Sequence, residues 1–199
     1  KKNIQQIINI NNESSDDLLL SNSSIKDIIN LKNPRIIEFY VDFETTRLAD
    51  DSELLYLIGM GVSINSEWSF YSFVLDVNDT NGEKKLILEW ISKMSSIKRE
   101  HKIYKKCNIW HWSDAEPAIL KRTISKYIEL DIQKLNWVDL REVFVKEQIV
   151  IKEAYNYKLK TIVNAMNKHN FITSNYNNVD CDNGIDALVD GYECYSSAK

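Results

Sequence analysis

The chain predicts an α/β fold in which a mixed sheet, a three-stranded antiparallel meander extended by parallel strands, is flanked by helices. Three observations carry that expectation. Apolar runs of strand length occupy residues 36–44, 54–62 and 67–75, with polar breaks between them. Residues 83–94 then set Leu86, Ile87, Trp90, Ile91 and Met94 at helical spacing. A fourth apolar run, 103–112, leads directly into the acidic helix start Asp114-Ala115-Glu116-Pro117. Strands in meander order, followed by alternating helix and strand, suit a sheet with helices packed on it.

The elements can be justified in order. Residues 1–33 are polar and broken, with apolar pieces at 4–10, 18–20 and 25–31 between Asn- and Ser-rich stretches. Ser24 and Asp27 have capping-box spacing, so a short helix over 25–31 is expected, ended by Asn33-Pro34. The segment reads as a linker or docking arm, and 34–199 as the globular domain. Within that domain the run at 54–62 is almost continuously apolar. The run at 67–75 is aromatic with partial alternation through Trp68, Phe70, Tyr71 and Phe73, and Asn65-Ser66 predicts the hairpin turn before it. The helix opening at Asp114 is expected to reach residue 127. Further helices are expected over 139–147, 159–168 and 184–195. There is no internal repeat.

Bulk properties exclude several classes. At 199 residues the chain can bury one good core, and 44% hydrophobic with 27% charged residues is ordinary for a globular protein. A net charge of −4 argues against a histone-like binder held by phosphate contacts alone. No run of about 18 apolar residues and no signal-peptide pattern occurs, so the expectation is a soluble intracellular protein with no membrane partner. Cys107, Cys181 and Cys194 form no C-x-x-C pair, which suggests neither disulfides nor a zinc site. The first residue is Lys1 rather than Met, and the chain is expected to be a piece of a longer polypeptide.

The first run is the most informative. It delivers Asp42 and Glu44 at its carboxyl end, and residues two apart on a strand project from one face. Two hard oxygen ligands side by side suit a divalent cation. A buried strand has no packing reason to carry two like charges on one face, because unpaired buried carboxylates are costly. Two Mg²⁺ or Mn²⁺ ions would remove that cost and clamp a scissile phosphate.

Four motifs then stand in order. They are Val41-Asp42-Phe43-Glu44-Thr45-Thr46, the stretch from Ile109 through His111, Asp114 and Glu116 to Arg122, Trp137-Val138-Asp139-Leu140, and Tyr157-Lys158-Leu159-Lys160. Together they resemble the YprB-like ribonuclease H-like domains of the DEDD 3′–5′ exonuclease superfamily, over roughly residues 36–195. The resemblance implies a ribonuclease H-like sheet and a two-metal nuclease acting on nucleic acid, DNA rather than RNA, at a single-stranded end. It implies flanking domains in a larger replication or repair polypeptide.

By the same resemblance Asp42, Glu44 and Glu116 would hold the metals, with Asp114 the alternative to Glu116. Asp139 would be a further catalytic acid or a supporting group, and Thr45, Lys158 and Lys160 would contact the substrate. The family's last metal-binding Asp has no convincing match here. Asp180, Asp182, Asp186 and Asp190 are candidates, Asp186 being best placed on the terminal helix; otherwise the motif is expected beyond Lys199.

Simpler readings compete. Glu116 and Asp114 suit the positive end of any helix dipole, Asp139 suits a helix cap, and Lys158 and Lys160 suit a solvated surface. His111 reads as a packed residue rather than a base. The rival function is a catalytically inactive ribonuclease H-like module that binds nucleic acid or a protein partner, which the missing last motif favours. A polymerase proofreading domain fits the third and fourth motifs poorly.

Overall fold

The computed structural model describes residues 2–12, 14–21, 37–47, 53–65, 67–76, 79, 81–103, 107–127, 135–174, 189–191, 193 and 197. The chain divides into two compact units, one of residues 34–138 with 181–199, the other of residues 1–33 with 139–180.

The larger unit is built on strands β2 (Glu38–Arg47), β3 (Glu53–Ile64), β4 (Glu67–Val74), β5 (Asn108–His111) and β6 (Asn136–Asp139), which form one sheet in the order β4-β3-β2-β5-β6. The last residue of β6 already belongs to the smaller unit. β3 runs antiparallel to both β2 and β4, while β5 runs parallel to β2. The mixed sheet with its antiparallel meander is the architecture the sequence predicts. Asn65 takes φ 50° at the β3–β4 hairpin, a left-handed conformation that Asn tolerates.

Helices α2 (Gly82–Glu100) and α3 (Ala115–Ser125) supply the layer over the sheet. Phe39, Val41 and Phe43 alternate along β2 into the core, where they meet Leu86, Ile87, Trp90 and Met94 of α2 and Ile119 and Leu120 of α3. Trp90 is fully buried, with its ring edge-on to Phe43 at 5.3 Å and 6.3 Å from Trp137. Burial of an aromatic ring contributes apolar area plus pair geometry. Glu83, in the first turn of α2, is buried but satisfied. It accepts from the backbone N–H of Leu55 at 2.8 Å, from Lys126 at 2.9 Å and from the Tyr127 hydroxyl at 3.3 Å. Burial and the neighbouring Glu83 push the Tyr127 phenol up to about 12.

The smaller unit contains α1 (Lys2–Ile10), β1 (Leu19–Leu20), α4 (Leu140–Lys146), β7 (Val150–Ile151) and α5 (Leu159–Lys168). β1 pairs antiparallel with β7, and the Asn3 amide donates to the Val145 carbonyl at 2.9 Å. Ile10, Val150, Ile151 and Ile162 are buried in this unit. The segment expected as an arm therefore carries a helix and a strand within a compact unit. The helix expected over 25–31 lies outside the described residues.

Several boundaries differ from expectation, β2 running to Arg47 and β3 to Ile64 rather than to 44 and 62. α2 runs to Glu100 rather than 94, because Ile97 continues its buried stripe. β5 is shorter than 103–112: its pairing with β2 spans Asn108 to Trp110. Among the described residues no helix is long and apolar enough to cross a membrane.

Candidate metal and active site

β2 carries Tyr40, Asp42 and Glu44 on one face by its alternation, and Phe39, Val41 and Phe43 on the core face. The ladder with β3 is regular through Glu44, opposite Leu57, and resumes at Thr45, opposite Leu55. Tyr56 is the extra residue of this bulge, a feature that re-aims side chains at strand ends. The bulge follows immediately after the two carboxylates.

Glu116 comes to the same place from another element. It sits in the first turn of α3, which starts after β5, the parallel neighbour of β2. Glu116 is 6% exposed, whereas Asp42 is exposed and Glu44 half-buried. The charge of Glu116 reaches both β2 carboxyls. Asp42 is held above the usual carboxylate range by desolvation and then by the charge of Glu116, with a backbone hydrogen bond at Phe43 opposing. Glu44 is raised by desolvation, then by Asp42 and Glu116. Asp42 is open to water on one side, but the protein around its carboxyl still removes enough solvent to lead the shift.

His111, the last residue of β5, is buried with its ring edge-on to Trp137 at 5.4 Å. Its Nδ1 lies 3.5 Å from Glu116 Oε2, and among the described residues neither atom has a hydrogen-bond partner. A buried carboxylate oxygen without a donor is costly. A cation shared with Asp42 and Glu44 would satisfy it, and three mutually repelling carboxylates are the donor set a hard divalent ion takes. Among the described residues no group of three His, Cys, Asp or Glu side chains stands close enough to form a ready-made cage. The donor chemistry fits a divalent ion, and the carboxylates would have to draw closer around it.

The other residues singled out from the sequence are distributed as follows. Asp114 occupies the N-cap position of α3 without a side-chain cap bond and accepts from the Ser113 hydroxyl at 3.0 Å. Thr45 donates to Glu53 at 3.4 Å, and Glu53 pairs with Arg122 at 2.7 Å. Asp139 caps α4, accepting from the backbone N–H of Arg141 at 2.8 Å, which is the simpler role the sequence allowed. Lys158 is the exposed N-cap residue of α5, and Lys160 is half-buried in its first turn. Both belong to the smaller unit.

Asp180, Asp182 and Asp186 lie outside the described residues. Asp190 is exposed, beside Gly191, which presses on Tyr56: an added Cβ would stand 2.5 Å from its ring. The terminal helical residues therefore reach β3 at the bulge residue, next to the Glu44 row. His111 was not singled out as a partner of Glu116. The signal was a strand end and a helix first turn joined by a short connection.

The raised carboxyls have a thermodynamic consequence in the metal-free chain. A folded-state pKa above the unfolded one means the folded chain binds the proton more tightly. That stabilisation is fully present below the ordinary carboxylate range and is lost as pH rises through the raised values. Glu44→Gln is therefore expected to melt above the wild type at neutral pH without metal, with the gap closing below about pH 4. Thermal unfolding across pH checks this, and equal melting at neutral pH would contradict the crowding.

A family model described as RNase_H superfamily matches residues 39–181, well over half of the chain and a span that includes Asp42, Glu44, His111, Glu116 and Asp139. The comparison with curated proteins found no match.

Proposed function

Because this chain belongs to the RNase H superfamily, we propose that it is a metal-dependent nuclease that hydrolyses phosphodiester bonds. The observation that supports the reading is the placement of Asp42 and Glu44 on one face of β2, with Glu116 in the first turn of the helix that follows its parallel neighbour β5 and near enough for its charge to reach both. Nucleases of this superfamily generally use divalent metals, and these donors suit Mg²⁺ or Mn²⁺. Asp42, Glu44 and Glu116 would hold two such ions, with a further acid, Asp186 or an Asp beyond it, completing the set. When bound, the ions supply a water of lowered pKa and charge stabilisation at the leaving 3′-oxygen.

The chain's own residues do the positioning. Phe43, packed edge-on against Trp90 in the core, anchors the strand from which Asp42 and Glu44 project. Burial of Glu116 on α3 keeps its carboxylate in place and unhydrated. Lys158 and Lys160 would steady substrate phosphates as mobile point charges. Action in the 3′–5′ direction, on single-stranded DNA ends, within a larger replication or repair protein, rests on the motif resemblance to the YprB-like DEDD branch.

The test is incubation with DNA labelled at its 5′ end, with Mn²⁺ and with a chelator. Stepwise shortening in Mn²⁺ alone supports the exonuclease. Internal cuts would make it an endonuclease. No cleavage under any condition would leave the inactive binding module as the better reading. Lys160→Ala is expected to raise KM several-fold with kcat little changed, and an unchanged KM would remove Lys160 from the substrate path.

A further inference from the structure

We propose that the sheet face bearing Asp42 and Glu44 continues toward β4 as a stacking platform for unpaired bases of the substrate strand. The proposal rests on the nuclease reading and names where that substrate lies. Cross-strand register sets the rows of this face: Glu44 with Leu57 and Val74, Asp42 with Gly59 and Ser72, Tyr40 with Gly61 and Phe70. Trp68 follows one row on, opposite Ser63 and Glu38. Trp68 and Phe70 are 61% and 65% exposed, although the opposite face of β4 sends Tyr71 and Phe73 against the core. Two large rings left in water on the carboxylate side of an edge strand have no role in the core.

Their posture is built in. The Trp68 ring lies over Gly61, where a Cβ would come within 2.1 Å of it, so this strand position needs glycine for the ring to lie down. Phe70 covers Gly59 in ordinary contact at 3.5 Å. Tyr40 braces Trp68 with ring centroids 5.3 Å apart and stacks on Trp110 at 6.3 Å. From strand spacing and rise, Phe70 stands about 12 Å from Asp42, a span of a few nucleotides.

The occupant follows from charge. The four rows from Glu38 to Glu44 carry Asp42, Glu44 and Glu38 and, among their partners on β3, β4 and β5, no Lys or Arg. Phosphates are repelled there away from bound metal, whereas every base offers a neutral π-face that stacks on aromatics irrespective of sequence. A strand whose scissile phosphate sits at Asp42 and Glu44 would turn its bases onto Phe70 and Trp68.

The experiment measures binding of fluorescently labelled oligothymidylate to the full 199-residue chain in Ca²⁺, together with Mn²⁺-dependent cleavage of the small ester thymidine 5′-(4-nitrophenyl phosphate). Trp68→Ala and Phe70→Leu are each expected to weaken oligonucleotide binding roughly tenfold or more. Trp68→Phe should retain most of the affinity, and ester cleavage should match the wild type in all three variants. Unchanged oligonucleotide affinity in Trp68→Ala and Phe70→Leu would overturn the platform, as would no binding by the wild type. So would a wild-type dimer that Trp68→Ala dissociates without loss of oligonucleotide affinity, which would assign the face to a second copy of the chain. Absence of ester cleavage by the wild type would instead count against the nuclease reading, which separates the two failures.

Discussion

Asp42→Asn is expected to abolish metal-dependent cleavage while leaving the fold intact. Desolvation leads the rise of both β2 carboxyls, Glu116 adds to both, and Asp42 adds further to Glu44, so Asp42 carries one of the charges that this group must offset. Loss of partners one step removed from a metal typically costs 10- to 100-fold in affinity or activity, so loss of a ligand itself should cost more than roughly 100-fold. The fold should tolerate the change, because Asp42 is exposed and its charge is unfavourable in the metal-free chain. Cleavage rates in Mn²⁺ measured beside thermal unfolding check both halves. Undiminished activity would place the site elsewhere.

The largest effect on stability is expected from Trp90→Ala. Trp90 is fully buried on α2 and contacts Phe43 edge-on, so it is the part of the core that holds the carboxylate strand from behind. Truncating a buried Trp costs about 3–5 kcal/mol in lost transfer energy and cavity formation. That is a large share of the ~5–15 kcal/mol by which domains are stable. A fall in melting temperature of roughly 6–20 °C is expected for a chain of this size. Cleavage should fall as well at temperatures where the variant stays folded, because Phe43 would no longer anchor the strand from which Asp42 and Glu44 project. A shift of only a degree or two would mean that the core collapses easily around the gap.

The parts of this fold legible in the sequence are those whose signal is local. The apolar run before Asp42, the continuous run of β3 and the stripe of α2 each announce themselves within one window, as does the position of Glu116 at a helix start after a strand. What escaped depends on distant partners. β1 and β7 are two residues each and exist by pairing across the chain from one another. α1 carries Ile4, Ile7, Ile8 and Ile10 within an Asn- and Gln-rich stretch, and of these Ile4 and Ile8 are exposed while Ile10 is fully buried. β6 was recognised as a motif and not as a strand, because Asn136–Asp139 is too short to show alternation. The aromatic segment at 67–75 favours the core on composition. Only the register shows that Trp68 and Phe70 face the carboxylate side while Tyr71 and Phe73 face inward.

The central claim is that Asp42, Glu44 and Glu116 together hold divalent ions. A calorimetric titration of the wild type and Glu116→Gln with Mn²⁺ at neutral pH tests it most directly. The account predicts binding by the wild type and at least tenfold weaker binding by Glu116→Gln. Equal Mn²⁺ affinity in the two proteins would contradict it.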